Sequence, residues 1–116
     1  MSDSILTSIK KLIGIMEDNK DFDTDIIIHI NTAFTRLREL GVGPKQGFRI
    51  SGKTDTWDDF MNDDEIFDSV KTYVYLKVKI IFDPPLNSSV MQAYKETIKE
   101  LEWTLNVDGD VSSLTQ

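Results

Sequence analysis

Residues 62–85 read NDDEIFDSVKTYVYLKVKIIFDPP, and the fold depends on whether this stretch forms a helix or a strand. Its centre, TYVYLKVKI (72–80), is rich in β-branched and aromatic residues, which favours a strand. However, Asn62 followed by Glu65 resembles the capping box of a helix start, and the run far exceeds the ~5–6 residues of a typical strand. Apolar residues also recur at the heptad-like spacing of a helical stripe, at Phe67, Val70, Val74, Val78 and Ile81. We therefore predict a helix, and its many apolar faces indicate that it is the central one.

The sequence downstream predicts one further helix. Pro84 and Pro85 end the central helix, because each ring fixes a backbone torsion angle and lacks an amide donor. Ser89 and Gln92 can form a capping box for the next helix. The apolar stripe of that helix, at a/d spacing, comprises Tyr94, Ile98, Leu101 and Leu105. After Val107 the sequence DGDVSSLTQ indicates a flexible tail.

Two helices are predicted upstream of the central one. Residues 3–13 form a short first helix, which Gly14 ends. Asp21 or Asp23 can cap the free amides at the start of the second helix. The apolar stripe of the second helix comprises Ile26, Ile30, Ala33, Phe34, Leu37 and Leu40. Gly41 ends this helix, because glycine takes left-handed backbone angles at little cost.

Residues 41–61, GVGPKQGFRISGKTDTWDDFM, separate the second helix from the third. Several glycines and a proline interrupt any helix here. Phe48–Ser51 alternates apolar and polar residues, which indicates a short strand or hairpin arm. The predicted fold class is therefore all-α: a small four-helix domain, residues 1–107, with a Gly-rich loop or short β-hairpin between the second and third helices. A flexible C-terminal tail follows at residues 108–116.

The composition excludes several classes of protein. The 116 residues are enough for one domain with a core. Twenty acidic against thirteen basic residues give a net charge of -7, and DNA affinity needs clustered Lys and Arg, so tight DNA binding is not expected. The chain has no cysteine, hence no disulfide framework and no thiolate metal site. No apolar run approaches the ~18 residues of a membrane span, and the N-terminus does not resemble a signal peptide. We expect a cytoplasmic protein without membrane partners.

Residues 47–54, GFRISGKT, match the spacing of a P-loop, G-x-x-x-x-G-K-[ST], which cradles nucleotide phosphates. KIIFD (79–83) could supply a magnesium-binding Asp. A P-loop, however, needs a strand entering the loop and a helix leaving it, as part of a βαβ unit. Here a helix and Pro44 precede the motif, bulky residues fill it, and DTWDDFM (55–61) places carboxylates after it. We interpret the motif as part of a Gly-punctuated hairpin and not as a nucleotide site.

No catalytic, cofactor-binding or metal-binding residue is predicted. The acidic stretches 21–25 and 106–110 begin like EF-hand loops, but neither has the Gly and Glu that such a loop requires at positions six and twelve. His29 is the only histidine, and the sequence suggests neither a nucleophile nor an orienting group beside it. Trp57 and Trp103 fit interface anchors and core packing equally well. The sequence contains no recognisable catalytic constellation.

The order of features along the chain resembles the small head–tail connector (adaptor) proteins of tailed bacteriophages and prophages, also labelled DNA-packaging proteins. The resemblance rests on SILTSIKKLIGI (4–15), DFDTDIIIHINTAFTRLRELGVGP (21–44), GFRISGKTDTWDDF (47–60), VKTYVYLKVKIIFDPP (70–85) and IKELEWTLN (98–106). It implies a helical fold in which GKT belongs to the loop or hairpin between the second and third long helices. It also implies that about a dozen copies form a closed ring beneath the portal after DNA packaging.

The resemblance further implies a set of partners. These are other copies of this chain, the portal protein, and a downstream head-completion or tail protein that docks on the ring. DNA only passes through the channel, where an acidic lining lets it slide without sticking. The implied location is the head–tail junction of the virion, with the host cytoplasm as the place of assembly. No cofactor is expected.

Two segments not used for helix packing are the expected contact surfaces, Pro44 to Trp57 and the tail after Asn106. The candidate interaction residues are Pro44, Gly47, Phe48, Arg49, Lys53, Trp57, Trp103, Val107 and Leu114. A flexible tail and a Gly-rich loop can each become ordered upon docking. One alternative function fits the same features, namely a small helical regulatory module that binds another phage or host protein.

Overall fold

The computed structural model describes the backbone of residues 3–115 and the side chains of residues 3–107. The described residues form five helices and no sheet. The helices are α1 (Ile5–Leu12), α2 (Asp23–Glu39), α3 (Trp57–Phe60), α4 (Asp64–Phe82) and α5 (Ser88–Thr115). The all-α prediction is confirmed, and the four predicted helices correspond to α1, α2, α4 and α5. No described helix is long and apolar enough to cross a membrane.

Helix α4 is the central element, as predicted, and it packs against α1, α2 and α5. Its buried residues are Val70, Tyr73, Val74, Leu76 and Val78. The β-branched residues that suggested a strand are therefore used to fill the space between helices. Asp63, rather than Asn62, caps the helix, because its Oδ1 accepts a hydrogen bond from the Glu65 amide at 3.0 Å. The helix ends at Phe82, two residues before the first proline.

Helix α2 buries the predicted apolar stripe against α4 and α1. The prediction of an Asp cap is wrong, because the N-cap residue is Phe22 and no side chain accepts from the free amides. Asp23 lies instead in the first turn, where its carboxylate favours the positive end of the helix dipole. Gly41 follows the helix with φ 85°, a left-handed angle that suits glycine.

Lys10 fastens α1 to the start of α2. Its side chain is buried, with 2% of the residue exposed. Its Nζ donates to the carbonyl oxygens of Glu17 at 3.0 Å and Asn19 at 2.7 Å. Nζ also lies 2.8 Å from Oδ1 of Asp23, an ion pair that lacks hydrogen-bond geometry at the carboxylate oxygen. A buried ammonium is tolerated only when it is paired in this way, so Lys10 determines the path of the loop between the two helices.

The strand or hairpin arm expected at Phe48–Ser51 does not form, and residues 42–55 follow an irregular path of turns and bends. The physical reason is a side chain that replaces a strand partner. Asn31 of α2 donates from Nδ2 to the carbonyl oxygen of Ile50 at 3.0 Å, and its Oδ1 accepts from the Ile50 amide at 2.7 Å. The backbone amide and carbonyl groups of Ile50 are thus hydrogen-bonded without a neighbouring strand. The described β pairing is one isolated bridge, between Ser4 and Thr56.

Helix α3 is a single turn that the sequence analysis missed. Thr56 and Asp59 form a complete capping box: the Asp59 amide donates to the Thr56 hydroxyl, and the Thr56 amide donates to the Asp59 carboxylate. This turn places Trp57 and Phe60 in the core. Gly43 lies against Phe60 with φ 90°, and a Cβ there would come within 2.5 Å of the ring. The capping box was visible in the sequence as Thr-x-x-Asp.

Helix α5 differs from its prediction at both ends. Asn87, rather than Ser89, caps it, because Asn87 Oδ1 accepts from the amides of Ser89 at 2.8 Å and Val90 at 3.2 Å. At the other end, the helical backbone continues past the predicted end near Val107 to Thr115. One glycine inside a helix costs only about 1 kcal/mol relative to alanine, so it need not end the helix. The flexibility assigned to residues 108–116 stays a prediction.

Candidate interaction surfaces

A groove lies between α2 and the segment 46–49, with a volume of about 510 Å³. Its lining comprises Ile27, Ile28, Asn31, Thr32, Phe34, Thr35, Arg38, Gln46, Gly47, Phe48 and Arg49. Three of the predicted interaction residues, Gly47, Phe48 and Arg49, are therefore brought together at one surface. The α2 half of this surface was not predicted.

The wall of this groove opposite α2 is held by contacts from the helix. The Gly47 amide donates to the carbonyl oxygen of Pro44 at 3.0 Å, which closes a turn, and Gly47 has φ 93°. Arg38 Nε donates to the carbonyl oxygen of Lys45 at 2.8 Å. Phe48 is half-buried and packs edge-on against Phe34, with ring centroids 5.3 Å apart. Pro44 is half-buried as well and is not among the residues that line the groove.

The groove is basic, with a lining that is partly polar and partly apolar, in a protein of net charge -7. Arg38 and Arg49 contribute two guanidinium groups to the lining, and no carboxylate of the described side chains lines it. Ile28 is 55% exposed, which is high for a large apolar side chain. The two lining hydroxyls, of Thr32 and Thr35, donate to carbonyl oxygens within α2. Such a lining suits the binding of an acidic and apolar surface.

The GKT segment forms a turn that is filled by a carboxylate. The amides of Ser51 and Gly52 donate to Asp55 Oδ2 at 2.7 and 3.3 Å. In a P-loop, backbone amides of this kind would bind phosphate. Lys53 is exposed and lines a second hollow of about 470 Å³, together with Lys10 and other residues of α1 and the loop after it. Lys53 thus lies away from the groove, and no described strand enters the motif.

The two tryptophans lie in opposite environments. Trp57 is 0% exposed, and its Nε1 donates to the hydroxyl of Ser8 at 3.3 Å. It is part of the core, which makes it unavailable as a surface contact. Trp103 is 72% exposed on α5, and Val107, one turn further, is 40% exposed. Leu114 lies outside the residues whose side chains the structure describes.

A polar network joins α5 to the body of the protein. The hydroxyl of Tyr73 in α4 donates to Glu102 Oε2 at 2.6 Å. Arg36 Nε in α2 donates to the same oxygen at 3.4 Å, and Arg36 also pairs with Glu39. Further along, Asn106 Nδ2 donates to the Leu40 carbonyl oxygen at 3.5 Å. Sequence reasoning missed this network, because its members are far apart in the chain and no local spacing connects them.

The network shifts the ionisation of two of its members. Burial raises the pKa of Tyr73 well above its usual value, and the hydrogen bond to the Glu102 carboxylate raises it further. The hydrogen bond to Glu102 also raises the pKa of Arg36. Folding stabilises the neutral form of Tyr73. The stabilisation of the folded state by this neutral hydroxyl is therefore complete below the unfolded-state pKa of about 10, and it declines as pH rises above that value.

Replacing Tyr73 with phenylalanine tests this assignment. At pH 7 we expect the variant to lose about 1.5–3 kcal/mol of unfolding free energy, since a hydrogen bond to a charged group is removed. The difference between the two proteins should shrink as pH rises above about 10, because only the wild type loses this stabilisation. Urea denaturation of both proteins at a series of pH values from neutral to alkaline measures the difference. A pH-independent difference would contradict the assignment.

Comparison with known proteins identifies the family. A family model described as "Phage connector protein" matches residues 5–112, which is nearly the whole chain. No curated protein and no solved structure matches the chain. The match supports the resemblance stated from the sequence, a general role in connecting phage head and tail, and a location in the virion. The protein belongs to the phage connector protein family.

Proposed function

We propose that this chain is a structural connector subunit that forms a ring of about a dozen copies beneath the portal. The ring extends the DNA channel and joins head to tail after DNA packaging. The observation that carries this proposal is the family match over residues 5–112. The partners are other copies of the chain, the portal protein and a downstream head-completion or tail protein. The subunits are in the host cytoplasm during assembly.

Two physical features support a passive, non-enzymatic role. The net charge of -7 suits a channel through which DNA slides without being held. The carboxylate of Asp55 accepts the hydrogen bonds of the backbone amides in the GKT turn, which speaks against phosphate binding there.

The groove and the Trp103 side of α5 are two different exposed surfaces. Subunits that associate through unlike surfaces form rings when the rotation between them closes.

Electron microscopy of a lysate tests the proposal, using a phage or prophage from which this reading frame is deleted. We expect separate heads and tails, with heads that have lost their DNA. The matched control supplies the intact reading frame from a plasmid and should restore joined particles. Normal infectious particles from the deletion would overturn the proposal and favour a regulatory module acting on another protein.

A further inference from the structure

We infer that α5 of one subunit docks in the groove of a second copy of this chain. The docking surface is a stripe on α5, defined by Glu96, Glu100, Trp103 and Val107 and called the acidic stripe below. This inference rests on the proposed function, since it assigns the two surfaces that join neighbouring subunits.

The acidic stripe is a continuous exposed face of α5. Its four members are all exposed, and they follow one another at intervals of four, three and four residues. Residues at these intervals lie on one side of a helix. The opposite side of α5 is occupied, because Ile98 and Leu105 are buried in the core. Lys99 lies at the edge of the stripe, three residues from Glu96, whereas Glu100 at the centre has no lysine three or four residues away.

The acidic stripe and the groove are complementary in chemistry. The stripe offers two carboxylates and a large aromatic side chain, of which 72% is exposed in the free subunit. The groove offers the guanidinium groups of Arg38 and Arg49 beside apolar side chains. Tryptophan and arginine are among the residues most enriched at the positions that dominate binding energy in interfaces. Facing charges of opposite sign also fix the register of two surfaces.

The two surfaces cannot meet within one subunit. Arg36 of α2 contacts Glu102 of α5, whereas Thr35, the preceding residue, lines the groove. Because successive residues of a helix are about 100° apart around its axis, the groove and α5 lie on different faces of α2. A contact between them must therefore join two copies. Each copy then uses its α5 on one side and its groove on the other, a head-to-tail arrangement that gives a ring when the rotation between copies closes.

Cysteine cross-linking tests the contact directly, because the chain has no cysteine of its own. Arg49→Cys and Glu100→Cys variants are mixed in equal amounts and oxidised with copper phenanthroline. We expect disulfide-linked dimers to form at least about tenfold faster than by random collision, since contact raises the effective concentration of the two thiols. The matched control mixes Glu100→Cys with Asp68→Cys, an exposed position on α4. Equal rates in the two mixtures would overturn the inference.

Charge reversal in the phage gives a second, independent readout. Arg49→Glu and Glu100→Arg should each lower the yield of infectious particles, because each places like charges in contact. The double variant, in which the two charges are exchanged, should recover much of the yield. If neither single change lowers the yield while deletion of the reading frame still separates heads from tails, the docking inference is wrong and the connector function stands. If the deletion leaves normal particles, the connector function itself is wrong.

Discussion

Replacing Trp57 with alanine is expected to lower the free energy of unfolding by about 3–5 kcal/mol, the range for deletion of a buried large aromatic side chain. Trp57 is fully buried and packs against Phe34 and Phe67, with ring centroids 6.4 and 5.6 Å away. Its indole also donates to Ser8 of α1. Because domains of this kind have only about 5–15 kcal/mol of stability in total, the variant should be close to unfolding at physiological temperature.

Trp103→Ala is the matched control for this prediction. It makes the same chemical change at a position that is 72% exposed, and surface substitutions of this kind usually alter stability by about 0.5 kcal/mol or less. Urea denaturation followed by circular dichroism measures both variants. Equal losses of stability in the two would show that Trp57 is not the core residue described above. Trp103→Ala should instead impair association between subunits.

Replacing Lys10 with alanine has the second large expected effect, a loss of about 3 kcal/mol, at the low end for a broken buried ion pair because the Asp23 side chain is 25% exposed. The change leaves Oδ1 of Asp23 buried without its cation, and it removes the donor to two carbonyl oxygens in the loop between α1 and α2. Each of these groups then carries an uncompensated cost of burial. The loop should lose its fixed path as a result.

Lys11→Ala is the control for this second prediction, because Lys11 is adjacent, exposed and of the same residue type. Denaturation measurements should find it within about 0.5 kcal/mol of the wild type. Adding Asp23→Asn to Lys10→Ala tests the ion pair itself, and the loss in the double variant should be smaller than the sum of the two single losses. Additive losses, or equal losses for Lys10 and Lys11, would contradict the assigned role.

The long helices were predictable because their signals are local. The apolar spacing of α2 and α4 can be read within each segment, and the positions predicted to face the core are mostly buried. The segment between them was not predictable in the same way. Its path depends on Asn31, a residue of α2 that bonds the backbone of Ile50 nineteen positions later. An alternating pattern at 48–51 could not reveal that a side chain would take the place of a strand.

The candidate site was predicted only in part, for a related reason. The glycines and Pro44 marked the segment that forms one wall of the groove, but the other wall is the outer face of α2, whose residues have no distinguishing spacing. The two tryptophans could not be told apart by residue type. The capping box at Thr56, which places Trp57 in a buried turn, was the available local signal, and it was overlooked.

The carboxylate that joins α5 to Tyr73 and Arg36 also sets the azimuth of the helix about its long axis. Burial of Ile98 and Leu105 sets the side of α5 that faces the core, and the hydrogen bond from Asn106 to the Leu40 carbonyl oxygen restrains the helix further. Since a helix turns by about 100° per residue, holding Glu102 toward α2 and α4 aims the adjacent Trp103 outward. Through its bonds to Tyr73 and Arg36, Glu102 therefore helps to fix the direction in which the exposed face of α5 points.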